Sequence, residues 1–245
     1  MTETAQTLRV CTYNIHKGFC SMNRRFILEQ LREAIRSVDA DLVFLQEVIG
    51  ERIDAQPLVN GSRTSQFEFL ADEVWPHHAY GKNAVYQKGH HGNAVLSKWP
   101  LIHWDNHDVS HWWFSQRGIL LGQLENGVYA VCVHFGLLAE ERRRQLRQLL
   151  HIIAEKIPAD APVMIAGDFN DWRLHLDSRL RHAGFREALS GHSGKPAKTF
   201  PARLPLFRMD RIYFRNMALQ ESTVLEGGAW QRLSDHRALF ASFVL

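Results

Sequence analysis

Short apolar runs that close on an acid, an amide or an imidazole recur along this chain, and they constrain its fold more than any other feature. Residues 8–15 and 41–46 are rich in β-forming side chains. Short continuous apolar runs of this kind read as strands buried on both faces. The same reading applies to residues 93–97, 118–124, 128–135, 162–166, 209–215 and 238–245. Glu125-Asn-Gly-Val128 carries the Asn-Gly signal of a hairpin between two of them.

Helical periodicity appears between the runs. Residues 25–38 place Phe26, Ile27, Leu31, Ala34, Ile35 and Val38 on one face. A second amphipathic helix is predicted over 65–75, stopped before Pro76. The longest covers 139–157, with Leu146, Leu149, Leu150, Ile153 and Ile157 as its stripe and Pro158 after it. Strands outnumber helices, and the clear helices stand next to buried strands. Two sheets packed face to face, with helices outside each, bury all of these faces. With no internal repeat, low-complexity tract or Gly/Ser linker, residues 1–245 read as one domain.

The polar residues at the margins of the runs form the second pattern. Asn14 lies near the end of the first run, Glu47 just after the second, and His134 at the end of its own. Asp168 and Asn170 follow Pro162-Val-Met-Ile-Ala-Gly167, Asp210 opens a run, and Asp235-His236 precedes the last. Any one of these is most simply a turn cap. Together they mix acid, amide and imidazole at strand ends, where side chains of one core converge on a rim.

The bulk properties leave that reading open. A chain of 245 residues and net charge +3 accommodates an anionic substrate without being a nucleic-acid-coating protein. Cys11, Cys20 and Cys132 are odd in number and unpaired in spacing, which predicts buried thiols in a reducing compartment. No secretory-type start and no apolar run of roughly 18 residues is visible, so the expected location is the cytoplasm.

Thr12-Tyr-Asn-Ile15, Leu45-Gln-Glu-Val48, Gly92-Asn-Ala-Val-Leu-Ser97, Val133-His134, Gly167-Asp-Phe-Asn170, Asp210-Arg-Ile-Tyr213 and Ser234-Asp-His236 occur in this order. The ordered set resembles the endonuclease/exonuclease/phosphatase superfamily, over residues 8–240. The resemblance implies a DNase I-like four-layer α/β/β/α sandwich. It also implies hydrolysis of a phosphodiester or phosphomonoester by in-line attack of an activated water, with Mg²⁺, or alternatively Mn²⁺, as cofactor. Glu47 is then the main metal ligand, with Asn14 and Asp235 beside it. Asp168, with Asn170, orients and deprotonates the water; His134 and Asn170 donate to phosphoryl oxygens; His236 is held by Asp210. One departure stands out. DNase-like members pair the histidine equivalent to His134 with a glutamate, whereas this chain reads His90-His-Gly-Asn93 in that neighbourhood. A phosphate contact is therefore expected of His134 in place of general-acid work.

Asn93, Arg117 and Arg142 are the expected substrate contacts, Arg142 because an Arg-x-x-Gln pattern follows the family histidine. The other arginines around it, Arg143, Arg144 and Arg147, read as a solvated face. His103, His107 and His111 are four apart, but in a strand-and-loop stretch, which argues against zinc. Trp112-Trp-Phe114 cannot all enter one core, because extended side chains alternate faces. The trio is either a cover for the sandwich edge or a platform for a base or a lipid interface. A small or lipid-linked phosphoester is the favoured substrate. A DNA or RNA endonuclease or exonuclease is the alternative, and a non-catalytic module that keeps the fold is disfavoured because the expected site residues are all present. Nucleic acid and peripheral lipid thus both stand as partners.

Overall fold

Side-chain alternation along four central strands builds the layers. In the computed structural model, which describes residues 6–20, 27–52, 58–59, 62–86, 89–191 and 194–245, β1 (Thr7–Asn14) turns Leu8 and Val10 to one face and Cys11 and Tyr13 to the other. Helix α1 (Leu28–Ser37) crosses back so that β2 (Leu42–Arg52) pairs parallel to β1. A parallel pair needs such a crossover. A two-residue hairpin of β3 (Leu58–Val59) and β4 (Ser62–Arg63) precedes α2 (Gln66–Ala71). Then come β5 (His77–Tyr86), β6 (Gly89–Ser97), β7 (Leu101–Asp108) and β8 (Gly118–Leu124). The second parallel unit is β9 (Tyr129–His134), α3 (Ala139–Lys156) and β10 (Val163–Asp168). The chain closes with α4 (Asp177–His182), β11 (Arg186–Glu187), β12 (Asp210–Arg215), β13 (Ala218–Val224), α5 (Trp230–Leu233) and β14 (Leu239–Val244).

The strands form two six-stranded mixed sheets, ordered β13-β14-β1-β2-β6-β5 and β11-β12-β10-β9-β8-β7. Leu8, Val10 and Phe44 of the first pack against Ala130, Met164 and Ile212 of the second. On the outer face of the first sheet, Tyr13, Val43 and Leu45 meet Leu31 and Ile35 of α1 and Phe69 of α2. Outside the second, Val133 and Ile165 meet Leu146, Leu149 and Ile153 of α3. The result is the expected four-layer α/β/β/α sandwich. Both faces of the central strands are covered, which is why their sequences read as unbroken apolar runs.

Several boundaries differ from expectation. Helix α1 begins at Leu28 among the described residues, since Ile27 is not helical; the remainder of the expected start, 25–26, lies outside them. Helix α2 ends at Ala71 and not at Trp75, because Asp72 takes φ 43 and turns the chain. Its start is secured by a capping box, in which Glu68 N donates to Ser65 Oγ and Ser65 N donates to Glu68 Oε2. Strand β2 continues to Arg52 where the expected run stopped at Gln46. Strands β5 and β13 were not expected; they are edge strands whose polar, partly exposed faces hide the apolar signal. Cys11 and Cys132 are buried, with burial pushing both thiols up to about 12, but Cys20 is only half-buried.

Candidate active site

The two parallel units set the chemistry at one end of the sandwich. Asn14 ends β1, and the paired β2 passes Gln46 opposite it before reaching Glu47. His134 ends β9, paired with Asp168 at the end of β10, and Asp168 in turn faces Asp210 at the start of β12. Each sheet therefore delivers polar groups to the same rim.

Two backbone irregularities aim these groups. Pairing of β2 with β6 slips between Leu45 and Val48, and Glu47 inside this bulge has φ 57. A bulge re-aims a side chain that regular alternation would direct elsewhere. Glu47 is thus not a residue beyond the strand, as the sequence suggests, but one that interrupts it. At Gly167, φ is 142 and a Cβ would lie 2.0 Å from the Val133 carbonyl oxygen. Only glycine allows β10 to approach β9 this closely next to Asp168.

One amide ties the halves together. Asn14 Nδ2 lies 3.4 Å from Glu47 Oε1 and donates to Asp168 Oδ2 at 3.1 Å. Asn14 Oδ1 accepts from the backbone N–H of His16 at 3.1 Å, and His16 Nδ1 is 3.3 Å from Asp235 Oδ1. On the other side, Asp168 Oδ2 is 3.5 Å from His134 Nε2 and 3.8 Å from His236 Nε2. His236 Nδ1 pairs with Asp210 Oδ2 at 2.9 Å. Asn170 N donates to Asp168 Oδ1 at 2.9 Å. Eight residues far apart in sequence (Asn14, Glu47, His134, Asp168, Asn170, Asp210, Asp235 and His236) thus form one connected cluster.

The electrostatics divide this cluster. Burial alone would raise the Glu47 carboxyl, but His134, Lys17, His16 and His236 outweigh it and hold the group down at about 2. Asp168 goes the other way: burial raises it to about 6, with Asp210 adding to the rise and His236 opposing it. Burial also opposes charge on His236, yet Asp210 and Asp168 overcome this and lift it to about 10. His236 is an imidazolium between two carboxylates. His134 is driven well down by burial and by Arg117, and is neutral.

Among the described residues, one set of three acidic or imidazole groups has ligand atoms mutually within 4.8 Å: Asp168, Asp210 and His236. This is not the expected metal trio of Asn14, Glu47 and Asp235. Here His236 as an imidazolium neutralises the two aspartates, and it would have to give up its proton to ligate a cation. The Glu47 side offers a different donor set: an ionised carboxylate beside the Asn14 amide, whose Oδ1 accepts from His16 N, with the Asp235 carboxylate joined to them through His16. These are the oxygen ligands that a hard divalent cation takes, and they fit Mg²⁺ better than the histidine-containing group.

The three expected substrate contacts are placed differently. Asn93 is buried and bridges the sheets, its Nδ2 donating to the carbonyls of Gly118 at 3.1 Å and Cys132 at 3.4 Å. Arg142 is also buried; it donates to the carbonyls of Gly136 and Leu137 and lies over the Trp172 ring. Both thus have donors committed to backbone carbonyls. Arg117 is half-buried near His134, with Nε donating to the Phe135 carbonyl at 3.3 Å. Asn170 Nδ2 donates to the same carbonyl at 2.9 Å, alongside any use toward substrate. The three spaced histidines do not converge. His103 and His107 stand on β7, about 13 Å apart along the strand, and His111 touches Arg144 in the next loop.

Sequence reasoning did not single out His16, Lys17 and Ser234. Lys17 Nζ sits 3.3 Å from Glu47 Oε2. Ser234 Oγ donates to the Asn14 carbonyl at 2.7 Å and accepts from His236 N at 3.2 Å, latching the last loop to β1. The available signal was the basic pair directly after Asn14-Ile15, which a strand interior would not carry. Arg211 was likewise passed over. It is fully buried, 3.3 Å from Asp171 Oδ2 and bonded to the Asp171 carbonyl, joining the loop after Asp168 to the start of β12.

Residues 11–236 match the model of the Endonuclease/Exonuclease/phosphatase family. The chain belongs to that family. It is 45% identical to uncharacterized protein YbhP of Escherichia coli strain K12, covering 98% of this chain and 97% of that one. It is 26% identical to UPF0294 protein VP2298 of Vibrio parahaemolyticus, over 97% and 78% of the two chains. Among solved structures, the endonuclease/exonuclease/phosphatase from Beutenbergia cavernae superposes with TM-score 0.76 at 18% identity, over 98% of this chain and 72% of that one. TDP2 of D. rerio, complexed with a single-strand DNA product, superposes with TM-score 0.69 at 18% identity, over 98% and 100%. At such identities the structural likeness speaks for the fold alone: this is a DNase I-like α/β/β/α sandwich.

Proposed function

We propose that the chain is a divalent-metal-dependent phosphoesterase that hydrolyses a phosphodiester or phosphomonoester by in-line attack of water, with Mg²⁺ as the fitting ion and Mn²⁺ as the alternate. The observation that carries this reading is the pair of oppositely shifted carboxylates, Glu47 and Asp168, bridged by Asn14. Phosphoryl transfer asks for both: charge neutralised on the phosphoryl oxygens and a base in line with phosphorus.

Glu47, with Asn14 and Asp235 beside it, would hold the ion. When bound, the ion supplies positive charge to a phosphoryl oxygen. Asp168 is the proton acceptor, because a carboxyl held near 6 is ionised at neutral pH yet basic enough to take a proton from water. The Asn170 backbone N–H fixes the Asp168 carboxylate in one orientation. His134 is neutral, and with its proton on Nε2, 3.5 Å from Asp168 Oδ2, it would donate to a phosphoryl oxygen. His236, kept cationic by Asp210, supplies a fixed positive charge where negative charge accumulates on the transferring group. Lys17, 3.3 Å from Glu47 Oε2, would compete with the ion for that carboxylate and so moderate its affinity. Arg117 is the remaining cation within reach of an anionic substrate. The favoured substrate is a small or lipid-linked phosphoester, since the net charge of +3 is modest for a nuclease.

The test is hydrolysis with Mg²⁺, Mn²⁺ or EDTA of bis(p-nitrophenyl) phosphate, p-nitrophenyl phosphate, phospholipids, RNA, abasic duplex and supercoiled plasmid. Turnover abolished by EDTA and by Glu47→Ala supports the reading. Plasmid cleavage at the lowest enzyme concentration would move the substrate to nucleic acid. Turnover of every substrate unchanged by EDTA would end the metal-dependent mechanism.

A further inference from the structure

The exposed apolar side chains of this molecule are concentrated at one end. Apart from Ile102 and Trp104 on the edge strand β7, every large apolar residue exposed among the described residues stands on a loop or hairpin at the end where Glu47 and Asp168 lie. The loop 109–117 between β7 and β8 presents Trp113, 87% exposed, and Phe114. The loop 135–138 after His134 presents Leu137 and Leu138, and the stretch 199–209 before Asp210 presents Leu204, 69% exposed, and Leu206. Contacts between neighbouring loops make these a collar. Val85 N, near the tip of the β5–β6 hairpin, donates to Gln116 Oε1 at 2.7 Å; Arg144 of α3 reaches His111; Arg142 lies over Trp172; and Trp172 packs edge-on against Phe207. Monomeric proteins rarely expose contiguous apolar surface beyond a few hundred Å² without a partner for it.

The charge and the shape of the collar select that partner. The stretches 109–117, 135–138 and 195–209 contain no Asp or Glu, and they carry Arg117, Lys195, Lys198, Arg203 and Arg208. In 169–176 the one acid, Asp171, is buried against Arg211. Glu140, at the start of α3, is paired with Arg143 and Arg144. Asp108, exposed at the end of β7, lies beside Trp112 and Trp113, yet the rim carries more cations than acids and is otherwise apolar. Leu137, Leu138, Leu204 and Leu206 have no π-face, so they gain nothing from stacking on a nucleobase, whereas they gain from entering a hydrocarbon boundary. Trp112 and Phe114 are already stacked on each other, 6.0 Å between centroids and 10° between planes. A second copy of the chain would bring like charges together.

We infer that this collar docks on an anionic phospholipid surface, seating the active site over lipid headgroups. The consequence for substrate, a headgroup phosphoester presented at the membrane plane, rests on the phosphoesterase reading; the docking itself does not. Trp and Phe at the tips suit the headgroup boundary, and arginines attract anionic lipid through the screened field of the surface.

The experiment is co-sedimentation of the full chain with vesicles of phosphatidylcholine mixed with phosphatidylglycerol, and with phosphatidylcholine alone. Bis(p-nitrophenyl) phosphate turnover is followed in parallel. The wild type is expected to sediment with the mixed vesicles and to release at high salt. The W113S/F114S and L204S/L206S variants are each expected to lose binding at least about tenfold, with turnover of the soluble substrate unchanged. Equal sedimentation of wild type and both variants would overturn the inference. So would a wild type that stays in the supernatant, a concentration-dependent dimer lost in W113S/F114S, or tight single-stranded oligonucleotide binding lost in the same variant. A chain inert toward every phosphoester that still sediments through Trp113 and Leu204 would sink the phosphoesterase reading and leave the docking intact.

Discussion

The two sheets bring carboxylates of opposite character to a shared rim. Glu47, from the bulge in β2, lies among Lys17, His16 and His134 and is held ionised at about 2. Asp168, from the end of β10, is buried beside another carboxylate and raised to about 6. Asn14 touches both. The difference is a division of labour by environment: a carboxylate among basic side chains, with the Lys17 ammonium against it, is a standing negative charge for a metal ion, whereas one buried next to Asp210 exchanges protons near neutral pH. Residue type alone does not separate the two roles.

The largest effect is expected from erasing the Glu47 side. Glu47→Gln removes the charge with little change of shape, and turnover should fall by roughly 10⁴-fold. Mn²⁺ affinity, read by electron paramagnetic resonance, should fall with it. Tight Mn²⁺ binding retained in this variant would show that the ion sits elsewhere. Asp168→Asn sharpens the contrast, since it should lower kcat by about 10³-fold while leaving Mn²⁺ affinity near wild type. A parallel loss of metal binding would merge the two carboxylates into one ligand set.

The next effect is on stability. Arg211→Met leaves Asp171 buried without its cation and should cost about 3–5 kcal/mol, measured by urea denaturation. It also frees the loop between Asp168 and Asp171, so kcat should fall on the Asp168 side with metal affinity little changed. Unaltered stability would mean that Arg211 and Asp171 are not the clamp between β10 and β12. The smallest change belongs to Lys17→Met. Lys17 is partly exposed, so its screened pairing with Glu47 is weak, and its removal should lower the Mg²⁺ concentration for half-maximal activity by about 2–5-fold. A raised requirement would instead make Lys17 a support for the ligand.

Much of the layer architecture was legible from period and composition. The parallel units follow from apolar runs flanking the helices predicted over 25–38 and 139–157, and the observed α1 and α3 occupy those stretches within a few residues. Edge strands β5 and β13 were illegible because half of each faces solvent or a loop, so no continuous apolar run marks them. The small helices α4 and α5 are too short for periodicity to register. At the site, the polar residues closing buried runs were visible as a pattern. Asn93 and Arg142 were named as substrate contacts by residue type and pattern; that both are buried and donate to backbone carbonyls of neighbouring elements was not visible in the local sequence.

By itself the sequence determined which strands are buried on both faces, which helices cross between them, and which acids, amides and imidazoles stand at their ends. These properties depend on neighbours a few residues away. Only the tertiary structure decided that Glu47 leaves the ladder at a bulge, that Lys17 and His16 turn back beside it, and that Asp168 lies between His134 and His236. Proton affinity and metal affinity are set by fields and burial that sum over groups distant in the chain. Those sums exist only once the two sheets have packed.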